Sequence, residues 1–302
     1  MVKNAGFAEM IKDLVEDRLG DGYDVSIRKV VKNNGTELTG LSVGAKNARI
    51  AHTIYLEGIE SEFEEARISA GEAADMIVRT FRREENPDDG SALSILQYAE
   101  SIYKRVFPKL INAERNEELL KSVPHVDFLD LAEIFVVKME LATGTGNVTI
   151  KNDLMDMLGL DMEKLKKAAY ENMIRKGLYK RSLSSMITEL IGDPEEMPEL
   201  SEEQFTDTIP MTIVTNPDKF NGAYCLLEKD VFKEMSEEMG CDLFILPSSI
   251  HEVIVVPDLP RFDKEVLRNM VMDVNRSSVS DEDFLSNSIY RFDRVTAQLQ
   301  VA

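Results

Sequence analysis

Tyr23–Val43 reads YDVSIRKVVKNNGTELTGLSV, and this stretch decides the fold class. Tyr23, Val25 and Ile27 alternate with polar neighbours, as in a strand with one buried face. Asn33-Asn34-Gly35 then supplies residues that tolerate a left-handed backbone, before a second apolar run from Leu38 to Val43. The stretch is a β-hairpin. On its N-terminal side Phe7, Met10, Ile11, Leu14, Val15 and Leu19 recur at helical spacing and Gly20 follows as a stop. On its C-terminal side Ile50, His52, Ile54 and Leu56 alternate as a third strand. Ser69-Ala70-Gly71-Glu72 is a capping box ahead of Ala74, Ile77, Val78 and Phe81.

The same grammar continues. Asn86–Gly90 is a turn cluster, and Leu93–Tyr103 returns to helical spacing. Val106–Ile111 carries Pro108 and is therefore expected as an edge strand or an irregular extended segment. Leu131–Leu141, a Thr143–Asn147 turn and Val148–Ile150 form a second hairpin. Met155–Leu158, Leu165–Met173 and Leu183–Ile191 are helical. Gly192–Glu203 holds six acids, two prolines and no base, a composition suited to a solvated linker. Beyond it, Met211–Val214 and Ala223–Leu227 are expected as strands flanking Asn221-Gly222. Val231–Met239 is a helix ending at Gly240, and Leu243–Leu246 and Val253–Val256 are short strands. Hairpins interleaved with helices predict an α+β protein, with mainly antiparallel sheets, helices packed on one face and two lobes. The expected boundaries are an N-terminal module over 1–191, an acidic linker or loop over 192–204 and a C-terminal module over 205–302.

The chain has 302 residues, 43% hydrophobic and 30% charged, enough to bury a core without special devices. Fifty-five acids against 35 bases leave a net charge of −20. From Gly192 onward there are 23 acids and 9 bases, a net of −14, so the acidity is concentrated in the last third. Such a field repels nucleic-acid phosphates and anionic lipid, and it attracts a basic protein partner. Cys225 and Cys241 lack a metal or redox spacing and fit a reducing compartment. No stretch reads as a signal peptide or a membrane span, so a cytoplasmic location is expected.

Pro247-Ser248-Ser249-Ile250-His251-Glu252 is where a hydroxyl, an imidazole and a carboxylate fall within a few residues. Ser248, Ser249, His251 and Glu252 are the candidate catalytic residues of a hydrolase, since a serine activated by a carboxylate-oriented histidine is the logic of nucleophilic catalysis. Triad members normally come from separate segments, however, and the competing reading is a turn that satisfies its own backbone groups. On an extended backbone Ser249 and His251 share one face, with Ser248 and Glu252 on the other. His251-Glu252 starts a zinc-protease pattern, but Val255 stands where the second histidine is required. A three-histidine zinc site needs His52, His125 and His251 to converge; His52 reads instead as a sheet histidine and His125 as a cap. Ser101–Lys104 has a serine-to-lysine spacing without the rest of the β-lactamase signature. Gly144-Thr145-Gly146 lacks the remainder of a dinucleotide site. No cofactor and no metal are expected, and the 15 methionines are core filler.

Several stretches resemble a bacterial family known only as a domain of unknown function, family 5688. They are Leu110–Asn116, Val123-Pro124-His125, Phe128–Ala132, Thr212–Asn216, Asn221-Gly222-Ala223, Cys241–Ile254 and Ser286–Asp293. The resemblance covers most of the chain and makes Ser248, Ser249, His251 and Glu252 parts of a family motif. A looser similarity to another uncharacterised bacterial family, through Ile54-Tyr55-Leu56, implies α+β structure alone. Val295–Ala302 is less typical of the family. The leading expectation is a bacterial, non-enzymatic, protein-binding or regulatory module with an acidic surface. The alternatives are a hydrolase built on Ser249, His251 and Glu252, and an acidic mimic of nucleic acid.

Overall fold

The computed structural model describes residues 4–46, 51–85, 96, 98–141, 144–182 and 210–302. Three expectations lie outside these residues: the Asn86–Gly90 turn, the Leu183–Ile191 helix and the acidic stretch over 192–204. The chain divides into two compact units, the first of residues 1–102 and 138–148, the second of residues 103–137 and 149–302.

The first unit opens with helix α1 (Asn4–Leu19), closed by Gly20 at φ +77°, where a side chain would be strained. Strands β1 (Tyr23–Val31) and β2 (Glu37–Ala45) pair antiparallel in the expected hairpin, with Asn34 and Gly35 left-handed in the turn. β3 (His52–Tyr55) pairs with β2, completing a sheet of order β1-β2-β3. Helices α2 (Glu57–Glu64) and α3 (Ala70–Glu85) follow. The capping box forms as read: the Ser69 N–H donates to Glu72 Oε2 at 2.8 Å and the Glu72 N–H to Ser69 Oγ at 3.3 Å. The Ser69 N–H and the Ser69 hydroxyl, both donated to Glu72 Oε2, hold the Glu72 carboxyl below its ordinary range. Phe7, Ile11 and Val15 of α1 and Ala73, Ile77 and Phe81 of α3 bury against Val25, Leu41 and Val43 on one face of the sheet.

After α4 (Ala99–Tyr103), β4 (Val106–Asn112) is the outer strand of a β4-β6-β5 sheet. The edge position expected from Pro108 is observed. The other members are β5 (His125–Phe128) and β6 (Leu131–Leu141), and β7 (Gly144–Thr149) pairs with β6 as the second hairpin. Helix α5 (Glu117–Leu120) lies between β4 and β5, and α6 (Asn152–Leu158) and α7 (Met162–Lys176) follow β7. The remaining strands are β8 (Tyr179–Ser182), β9 (Thr212–Thr215), β10 (Leu243–Ser249), β11 (Glu252–Pro257), β12 (Tyr290–Asp293) and β13 (Gln298–Val301). They form an antiparallel sheet of order β13-β12-β10-β11-β9-β8. Helix α8 (Lys229–Met239) contributes Val231, Phe232 and Met235 to the core that buries Ile245, Val253 and Val255. Helix α9 (Lys264–Ser278) places Leu267 and Val271 against Phe244, Leu246 and Val256. Neighbouring strand residues point to opposite faces, so this sheet is covered on both. The expectation of one covered face fits the three-stranded sheet and fails here, because the apolar positions of β10 and β11 run continuously instead of alternating.

One strand assignment is corrected. Residues 223–227 belong to a 3-10 turn, Gly222–Leu227, in which Gly222 through Leu226 are all buried. Asn221 enters it at φ +53°, and the Ala223 N–H donates to Ile250 O at 3.1 Å. Their apolar character comes from burial beneath the sheet. β9 finds its partners in β8 and β11 instead.

Ser280–Ile289 is irregular yet carries buried Phe284, Leu285, Ser286 and Ile289, so its polar groups need partners. Asp130, after the left-handed Leu129, accepts hydroxyl hydrogens from Ser286 Oγ at 2.5 Å and Tyr290 Oη at 2.8 Å. The Asn112 amide donates to Leu285 O at 3.0 Å. Burial beside the Asp130 carboxylate drives the Tyr290 hydroxyl well above its usual pKa. Tyr290→Phe deletes one charge-assisted bond from a buried tyrosine to a half-buried carboxylate. It is expected to destabilise the second unit by about 1–3 kcal/mol, read from urea unfolding followed by circular dichroism.

Candidate functional site

The family-motif segments converge in the second unit. β9 runs into Asn216-Pro217-Asp218-Lys219-Phe220-Asn221, a loop that Asn216 closes on itself. The Asn216 Nδ2 donates to Phe220 O at 2.8 Å, its Oδ1 accepts the Phe220 N–H at 3.3 Å, and its carbonyl accepts the Lys219 N–H at 3.0 Å. Lys219 and Asn221 are both left-handed, at φ +54° and +53°. Non-glycine residues hold such conformations when the surroundings impose them. Gly222 follows because nothing larger fits: a Cβ there would collide with Thr215 Oγ1, and would lie 2.5 Å from His251 O and 2.8 Å from Asn216 N.

β10 and β11 are joined at Ile250-His251, and Ser249 faces Glu252 across the turn. The strand ends at Ser249, so the expected sharing of one face by Ser249 and His251 does not arise. The Ser249 hydroxyl accepts the His251 backbone N–H at 3.0 Å, and Ser248 sits at the register shift between Pro247 and Ser249. No side-chain hydrogen bond joins Glu252 to either serine or to the imidazole among the described residues.

His251 is instead gripped from two other segments. Its Nδ1 lies 3.0 Å from the Asn221 amide nitrogen and must accept that hydrogen. The hydrogen of the neutral ring therefore sits on Nε2 and is donated to Asp283 Oδ1 at 3.0 Å. Asp283 accepts the Ser280 hydroxyl on its other oxygen at 2.7 Å. Phe220 stacks on the ring with centroids 5.1 Å apart and planes 28° apart. The order is serine–aspartate–histidine, with the carboxylate in the middle. A nucleophilic triad needs the histidine between them, so that a ring nitrogen takes the hydroxyl proton. Here both nitrogens are committed within the protein. Asp283, Ser280 and Phe220 carry no local signal in the sequence, since the aspartate lies 32 residues beyond the histidine. Asn221 is visible only as a turn former.

The other candidates stand apart from this cluster. His52 makes an edge-on contact with Phe81 at 5.6 Å in the first unit, and His125 Nδ1 meets Val123 O at 3.0 Å. His52 lies in strand β3, as expected of a sheet histidine, whereas His125 opens strand β5 rather than capping a helix. No group of three histidine, cysteine, aspartate or glutamate side chains is disposed to hold a metal among the described residues. Cys225 and Cys241 are free thiols, and burial pushes both upward in pKa, away from reactive thiolates. No described helix is long and apolar enough to cross a membrane.

In the first unit a cavity of about 470 Å³ lies where α1 ends and β1 begins, lined by Glu16, Asp17, Asp21, Asp24, Tyr23 and Lys46 among others. Glu16 pairs with Lys12 at 3.2 Å. Asp17, Asp21 and Asp24 are exposed, and none forms an ion pair among the described residues. A helix C-terminus is the negative end of the backbone dipole, so a carboxylate in the last turn costs about 0.3–1 kcal/mol rather than stabilising.

A family model described as "Family of unknown function (DUF5688)" matches residues 5–294, and the chain belongs to that family. No curated protein and no solved structure matches it.

Because the imidazole ties the Asn221 loop to the Ser280–Asp283 turn, His251→Ala strands a buried N–H and unstacks Phe220. The expected cost is about 2–4 kcal/mol in thermal unfolding, with faster amide exchange at Asn221. Gly222→Ala is expected to do as much damage by collision alone, about 3 kcal/mol or more.

Proposed function

We propose that this member of the DUF5688 family is a non-enzymatic binding module of the bacterial cytoplasm that meets a basic protein partner through acidic surface. The observation that carries the reading is the cavity at the end of α1. It sets three carboxylates, Asp17, Asp21 and Asp24, unpaired among the described residues, around a space large enough for a lysine or arginine side chain. Asp17 sits where the helix dipole disfavours it, and a residue that breaks a local stability rule without visible compensation points to use rather than folding. The excess of 14 negative charges beyond residue 192 supports the same reading, because such a field raises the encounter rate with a cationic partner. No comparable observation favours the hydrolase reading, since His251 has no nitrogen free to act as a base. The nucleic-acid mimic shares the basic partner but needs a longer row of carboxylates than these three.

The test is titration of a fluorescent oligo-arginine peptide into the full chain at about 50 mM salt, with and without the triple change Asp17→Asn, Asp21→Asn and Asp24→Asn. The triple variant is expected to bind about tenfold more weakly, at about 0.5 kcal/mol per lost exposed pair, and to melt at the same temperature or slightly higher. Wild-type affinity is expected to fall as salt rises. Equal binding by the two proteins would remove the cavity from the reading.

A further inference from the structure

β6 carries a carboxylate where a sheet centre should carry none. Glu133 is 1% exposed, pairs across the sheet with Leu110 of β4 and Val126 of β5, and its Oε1 is buried without a hydrogen-bond partner among the described residues. Alternation along β6 puts it on the face that also carries Leu131, Phe135 and Val137, all buried. On α7, Lys166 and Tyr170 interact electrostatically with it; they lie one helical turn apart, both half-buried, next to buried Leu165 and Ala169. At the start of α8, Glu228 acts on the same Tyr170. Neither β4 nor β5 sets a charged side chain directly opposite, since the cross-strand residues there are leucine and valine.

An ionised carboxylate in this position would be both desolvated and unpaired, the most costly state a buried polar group can take. Two arrangements relieve it: a neutral carboxyl group within the core, or an ionised one displaced towards the Lys166 ammonium. We infer that Glu133 is a proton-linked latch, holding α7 on the β4-β6-β5 sheet while neutral and loosening that helix when it ionises and turns to Lys166. Desolvation pushes the Glu133 carboxyl up to about 7, with Lys166 drawing it back, and burial next to Glu133 raises Tyr170 to about 12. The folded-state value exceeds the ordinary 4.5, so the folded protein holds an extra proton between the two. The stabilisation is therefore complete below pH about 4.5 and lost as pH rises through about 7.

The experiment is amide hydrogen exchange of the full chain from pH about 5 to 8.5, corrected for intrinsic exchange, with α1 as internal reference. Protection of α7 amides is expected to fall about ten- to a hundredfold across that range in the wild type, then level off. In Glu133→Gln, which is permanently neutral, it should stay flat. Lys166→Met removes the charge that stabilises the ionised form and should move the transition to higher pH. Carbon NMR of the Glu133 carboxyl in the unaltered protein reads the titration directly, whatever the variants do to folding. A carboxyl that titrates in the ordinary glutamate range overturns the inference. So does α7 protection that follows the same pH profile in wild type and Glu133→Gln.

Discussion

The Asp130 carboxylate accepts the hydroxyl hydrogens of Ser286 and Tyr290, two residues more than 150 positions away, and the second unit is organised around that convergence. An irregular segment can be buried only if its polar groups are answered, because each unanswered one costs about 1–3 kcal/mol. Ser280–Ile289 meets the requirement by drawing on Asp130, on the Asn112 amide at Leu285 O and on the hairpin tip, where Ile250 N–H donates to Asp283 O at 2.9 Å. Arg115 lies over the Phe284 ring with its guanidinium 3.7 Å from the centroid. The residues through which the chain resembles its family, including Asn112, Asp130, Asn221, His251, Ser286 and Tyr290, are thus in large part the partners in one buried polar framework.

Their roles follow from that position. A histidine whose two nitrogens hold two backbone segments in register does what a cross-link does, and does it reversibly. The Asn216–Gly222 loop stays in a strained conformation because His251, Thr215 Oγ1 at 2.7 Å from His251 O, and the Phe220 stack together over-determine it. Arg291 acts similarly further along, bridging Asp258 at 2.8 Å and Asp242 where β10, β11 and β12 lie side by side. Such networks are costly to disturb and give one arrangement of the strands an advantage over its competitors.

Neither the cavity at α1 nor Glu133 belongs to this framework. The first gathers carboxylates at the wrong end of a helix for stability. The second buries one whose Oε1 has no hydrogen-bond donor among the described residues. Both depart from the consistency seen elsewhere in the fold, in the capping box at Ser69, the Asp161 cap that accepts from Lys164 N–H at 2.9 Å and the Asp263 cap of α9. Places where local chemistry and global packing disagree are where function is sought.

Local rules were enough for much of the fold. Apolar spacing and a following glycine marked α1 and α8, the Asn33–Gly35 turn marked the first hairpin, and Pro108 confined β4 to an edge, because each depends on residues within a few positions of one another. Two things escaped. The 222–227 turn has the apolar density of a strand, and only its burial beneath β9 and β11 separates the two. Likewise, Ser249, His251 and Glu252 were legible as a cluster, but proximity along a chain does not settle which atoms a ring nitrogen faces. The sequence by itself determined the α+β class, the hairpins and the negative charge, all of which are local or additive. The tertiary structure alone decided that Asp283 rather than Glu252 meets His251, that Asp130 meets Tyr290 and that Glu133 Oε1 is buried without a hydrogen bond among the described residues, since hydrogen bonds are settled by distance in space.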